Sequence, residues 1–118
     1  MIQADAYRNL VNSLPKEVRL IAVSKTKPIS DIAELYALGQ REFGENKVQE
    51  LMEKIEELEA DIKWHLIGPL QRNKVNKVVG KVELIHSVDS LALAEKIDRR
   101  AEQLNIKQAL LIQMNISE

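Results

Sequence analysis

Apolar residues recur along this chain in two alternating rhythms. Five short stretches rich in aliphatic side chains, Arg19 to Ser24, Gln40 to Phe43, Lys63 to Ile67, Val82 to Val88 and Gln108 to Ile116, have the length and composition of buried strands. Their starts follow one another at intervals of roughly twenty to twenty-six residues. Between them the spacing turns helical: Val48, Leu51, Met52, Ile55 and Leu58 share one face, as do Ala94, Ile97, Ala101 and Leu104. An opening helix carries Tyr7, Leu10, Val11 and Leu14 on one side and stops at Pro15, which cannot continue it. Ser30 and either Asp89 or Ser90 stand where helix N-caps belong.

The predicted order is one helix, then strand and helix in alternation, ending on a fifth strand. That order means parallel strands joined by crossover helices. Two folds accommodate it. A (β/α)₈ barrel has this unit length but needs about 200 residues or more, whereas a flavodoxin-like five-stranded sheet is complete near this size. Periodicity by itself favours the smaller fold. No low-complexity run, Gly/Ser linker or compositional break divides residues 1–118, so one domain is expected.

Composition narrows the functional classes. The chain has 118 residues, 45% of them hydrophobic and 30% charged, the balance of a globular protein. Seventeen basic side chains against eighteen acidic ones give no bulk attraction for a polyanion or an anionic membrane. The absence of cysteine excludes disulfides, thiolate catalysis and cysteine-ligated metal, and suits a reducing compartment. Polar residues within Met1 to Leu14 exclude a secretory signal or spanning helix there, so a cytoplasmic protein is expected. The acidic stretch Glu53 to Asp61 and the basic stretch Arg72 to Lys81 read as solvated helix faces. The basic stretch has no interleaved aromatics, so no nucleic-acid role is expected. Neither a glycine-rich phosphate loop nor a nucleophile elbow is present.

In parallel α/β folds the ligand site forms beyond the carboxyl ends of the strands, and a short polar set falls there. Lys25 follows Leu20, Ile21, Ala22 and Val23 directly, which brings its amine to the mouth of such a site. Partial desolvation there favours the neutral amine that attacks an aldehyde, although a strand-end surface lysine would look the same. Asn46 and Asn115 are placed to hydrogen-bond a ring oxygen, or else to cap turns. His65, mid-strand beside Trp64, suits a hydrogen-bonded core histidine, and with His86 as the only other histidine no metal site is expected.

Five blocks make the reading specific: LIAVSKTKP at Leu20 to Pro28, REFGENKVQ at Arg41 to Gln49, WHLIGPLQRNK at Trp64 to Lys74, IHSVDS at Ile85 to Ser90 and QMNIS at Gln113 to Ser117. Together they closely resemble the pyridoxal 5′-phosphate (PLP) homeostasis proteins, the YggS or PROSC family. The resemblance implies an alanine racemase-type (β/α)₈ barrel, of which this chain carries five strands, a half-barrel. It implies PLP held as a Schiff base on Lys25, with Asn46, His65 and Asn115 around the cofactor ring. It also implies a carrier or regulator without established turnover. An amino-acid racemase or decarboxylase of the same barrel class is the enzyme alternative, and a half-barrel that binds nothing is a third.

Members of that family run to roughly twice this length, and their later strands cradle the PLP phosphate. The chain is therefore expected to be a fragment, an engineered half, or one half of a pair. Its strand edges and apolar surface lead to the expectation of self-association or of a complementary half-barrel chain.

Overall fold

The computed structural model describes residues 3–114. Helix α1 (Ala4–Ser13) leads into strand β1 (Ala22–Val23), and then α2 (Ile29–Ala37), β2 (Glu42–Glu45), α3 (Val48–Glu57) and β3 (Lys63–Leu66) follow. A 3₁₀ turn (Arg72–Lys74) runs into the one-turn α4 (Val75–Val78), and β4 (Leu84–Val88), α5 (Leu91–Gln103) and β5 (Ala109–Ile112) complete the order.

The five strands form one parallel sheet in the order β1-β2-β3-β4-β5. This overturns the flavodoxin-like alternative, which requires the first strand inside the sheet. Each strand pairs only with its sequence neighbours, so the sheet grows in one direction. Right-handed crossovers then place α2, α3, α4 and α5 on a single face. That is the arrangement of a barrel segment, with helices outside and an open inner face.

Residue alternation along the strands matches this division. Phe43, Trp64, Leu66, Ile85 and Val88 point to the covered face and join Ile32, Leu51, Val75, Val78, Leu93, Ile97 and Ala101 in one buried cluster. Sealing a side chain such as Phe43, Leu51 or Leu66 from water contributes about 1.5–3 kcal/mol each. On the other face lie Ile21, Gly44 and Ile67: a Cβ built on Gly44 would meet Ile21 at 3.3 Å and Ile67 at 3.4 Å. Helix α1 buries none of its residues and is tied to the body by Tyr7, whose hydroxyl donates to Gln40 Oε1 at 2.6 Å.

Several element boundaries differ from the sequence expectation. The first ladder takes in only Ala22 and Val23 of the expected Arg19 to Ser24, and β2 starts two residues late. The delay follows from the end of α2, where Gly39 takes φ of +109° and the Gln40 amide donates back to Leu35. Ser30 caps nothing, because α2 begins at Ile29 with Pro28 in the cap position. Ser90 does cap α5, its hydroxyl accepting from the Leu93 amide at 3.1 Å. No helix among the described residues is long and apolar enough to cross a membrane.

Candidate functional site at the carboxyl ends of the strands

Lys25 lies just past β1, in a turn closed by the Lys27 amide donating to the Ser24 carbonyl at 3.0 Å. The turn places Thr26 in the left-handed region at φ of +61°, a costly conformation for a β-branched residue. The Lys25 side chain is exposed, and its amine makes no hydrogen bond or ion pair among the described residues. Strand alternation places the side chain of Val23, two residues earlier, on the open face with Ile21.

The peptides on either side of Lys25 are held from the covered face. Ser24 donates its amide to the Gly44 carbonyl at 2.9 Å and its hydroxyl to Glu45 Oε2. Lys54, reaching up from α3, donates to the Ser24 carbonyl, to Glu45 Oε2 and to Glu50 Oε2, each at 2.8 Å. Glu50 Oε2 in turn accepts the Thr26 amide at 2.7 Å. Glu45 and Lys54 are 0% and 4% exposed. The hydrogen bond from Lys54, helped by the Thr26 amide and opposed by burial, holds the Glu50 carboxyl below its ordinary value.

A second chain of polar groups crosses the open face. His65, 2% exposed, has its Nε2 3.0 Å from Glu42 Oε1 and its Nδ1 2.9 Å from His86 Nε2. Arg19 is bonded to both oxygens of Glu42, and its guanidinium is also 3.6 Å from Glu83. An ionised Glu42 only accepts, so His65 Nε2 carries a proton; in neutral His65 the Nδ1 then accepts from His86. The hydrogen bond from Arg19 keeps Glu42 below the usual carboxylate range against burial, with His65 adding to it. Burial, and then the neighbouring His65, push His86 below the ordinary histidine value. Among the described residues no group of three His, Cys, Asp or Glu side chains is arranged to hold a metal ion.

Of the residues singled out from sequence, Lys25 and Asn46 come together by register. Val23 pairs with Gly44, and Gly44 with His65, and Lys25, Asn46 and Ile67 each follow two residues later, just beyond the carboxyl ends of these neighbouring strands. Asn46 is packed against Gly68, where a Cβ would drive into the Asn46 backbone and lie 2.7 Å from its Oδ1. Only glycine allows that approach. A cleft of about 380 Å³ opens beside Asn46, between Lys47 and Val48 on one side and Pro69 and Gln71 on the other. His65 sits one level lower, with both ring nitrogens already engaged. Asn115 lies outside the described residues.

The sequence reading assigned no part to Glu42, Glu45, Glu50 or Lys54. The signal available for three of them was a Glu50–Lys54 pair at helical spacing of four, behind a carboxylate in the second strand.

This frame defines a parallel barrel segment with a lysine at the end of its first strand, and sequence comparison gives it a lineage. The chain belongs to the family described as alanine racemase, N-terminal domain, which it matches over residues 4–117. It is 48% identical over 118 residues to the pyridoxal phosphate homeostasis protein of Synechocystis, covering 98% of this chain and 54% of that one. With the protein of the same name from Escherichia coli K12 it shares 45% over 109 residues, covering 88% and 46%. The chain thus spans about half the length of the curated relatives it matches. Among solved structures, PipY of Synechococcus elongatus with PLP bound superposes with a TM-score of 0.90 at 48% identity, covering 97% of this chain and 55% of PipY.

Proposed function

We propose that this chain is part of a PLP-binding protein of cofactor homeostasis, with PLP held as a Schiff base on Lys25. The observation that carries the proposal is the Lys25 amine, exposed and unpartnered among the described residues, just past the carboxyl end of β1. A lysine held in this way suits a carbonyl ligand, because no hydrogen bond or ion pair has to break before the amine reacts. The likeness to PipY, whose structure contains PLP, supports the choice of ligand. When bound, PLP supplies an aldehyde and an electron-withdrawing ring.

Around that position Asn46 offers an amide just beyond the carboxyl end of the neighbouring strand. His65 gives a fixed, hydrogen-bonded floor one level below, and Asn115 of the NIS block completes the proposed set. The reading is of a carrier in the cytoplasm rather than an enzyme, within one partial barrel domain over residues 1–118. Incubation with amino acids should therefore give no racemised or decarboxylated product above a Lys25→Ala control.

The attachment is tested by borohydride reduction after incubation with PLP, followed by peptide mapping. The pyridoxyl group is expected on Lys25 alone. Its appearance on Lys27, or its spread over surface lysines, would sink the assignment.

A second copy or a complementary half-barrel chain belongs to the same reading, since Val23, Leu111 and Ile112 leave 54%, 51% and 64% of their surface exposed near the sheet's two edge strands. Sedimentation at micromolar concentration is expected to show a species larger than 13.4 kDa. A single monomeric boundary would count against association.

A further inference from the structure

We infer that Glu45, Lys54 and Glu50 act as positioning residues for Lys25, fixing the turn that presents its amine; this rests on the reading of Lys25 as the point of attachment. Three observations carry it. The cluster lies on the covered face and leaves the Lys25 amine untouched, yet it binds the peptide groups immediately before and after that residue. It spends all three Lys54 donors within this cluster, two on carboxylates and one on the Ser24 carbonyl. And the turn it holds includes Thr26 at a positive φ, a conformation that persists only where the surroundings impose it.

The contacts divide the work. Glu45, rooted in β2 and fully buried, fixes Lys54 and the Ser24 hydroxyl. Lys54 carries that restraint to the Ser24 carbonyl, and Glu50 extends it to the Thr26 amide on the far side of Lys25. Without the cluster Thr26 relaxes to a negative φ, and the Lys25 stem then samples several directions. The ordering needed for attachment must then be supplied at the moment of binding.

The test measures three quantities on the full chain: pyridoxylation of Lys25 after borohydride at a fixed, subsaturating PLP concentration, hydrogen exchange at the Thr26 amide, and the thermal midpoint. Glu50→Ala is the main variant, because its carboxylate lies at the margin of the cluster with 25% of the side chain exposed. It is expected to lower Lys25 labelling about tenfold and to speed Thr26 exchange, with a small change in midpoint. Lys54→Met should lower labelling at least as far, and Lys54→Arg should recover most of it, which a purely structural loss would not predict. Parent-level labelling in Glu50→Ala with fast Thr26 exchange would overturn the inference alone. Absence of label on Lys25 in the parent would overturn both the inference and the proposed attachment, with the label's actual position showing where PLP went.

Discussion

On the helix-covered face of the sheet a cluster of charge is sealed from water, with Glu45 and Lys54 0% and 4% exposed and the second Glu45 oxygen left without a partner. On the open face the chain Glu42–His65–His86 is only partly sealed and ends at Arg19, whose side chain is 57% exposed. Both clusters join neighbouring strands near the same site, but their surroundings set different stakes. A charge inside the covered core has no water to fall back on, so each partner there is indispensable to the other. Charges on the open face exchange partners with solvent and respond instead to pH.

The sharpest way to break this contrast is Lys54→Met. It removes a cation and leaves the Glu45 carboxylate buried, for which a loss of about 3–5 kcal/mol is expected in urea unfolding. A loss under about 1 kcal/mol would mean that water reaches the covered cluster.

A smaller effect should come from acidification, and it belongs first to the open face. The folded chain holds His86 below its ordinary value of 6.5, so on acidification the unfolded chain takes up that proton first. Stability present above that pH is lost as pH falls toward the folded value. Glu42 and Glu50, both held below 4.5, act in the same sense at lower pH: their contribution is present above 4.5 and disappears as pH falls through their folded values. The urea midpoint should therefore decline in two stages, and His86→Gln should flatten the upper one while leaving the lower. An unchanged upper stage in that variant would assign it to another group.

The smallest change is expected from Arg19→Ala. Its guanidinium is more than half exposed, so the urea midpoint at neutral pH should fall only slightly, and the difference from the parent should vanish as pH falls through the folded value of Glu42, where the carboxylate that Arg19 holds is protonated in both. A large fall in midpoint would show that the open face is far drier than its exposure indicates.

The sheet was legible in the sequence because its covered residues are aliphatic or aromatic and recur with the period of a strand and helix unit. Strand order was not, since the same alternation serves a barrel and a doubly wound sheet. The residues that resolved it were blocks shared with a family, not periodicity. Lys25 stood out because an aliphatic strand runs straight into it. The cluster beneath it was hidden for a physical reason: Glu45 reads as a loop residue and Lys54 as part of a solvated face. Each becomes tolerable in the interior only when the fold brings the other to it. Lys54 borders the apolar stripe of α3, three residues from Leu51 and four from Leu58, so its methylene stem can run along that stripe to the strand ends. His65 was correctly read as a hydrogen-bonded interior histidine, but its partners His86 and Glu42 lie twenty-one and twenty-three residues away, beyond any local pattern.

The uninterrupted strand order has a kinetic side. Every ladder joins segments adjacent in the chain, so closing β2 onto β1 or β4 onto β3 requires a loop of only some twenty residues and no excursion past a later strand. Parallel sheets usually fold slowly because distant segments must meet before any contact rewards the search. Here the nucleus can be any adjacent pair of strands with the helix between them, and structure spreads outward one unit at a time. A chain emerging from the ribosome can therefore lay down each unit as it appears, and the Lys25 turn, set by β1, β2 and α3, can take its shape before β4 has been synthesised.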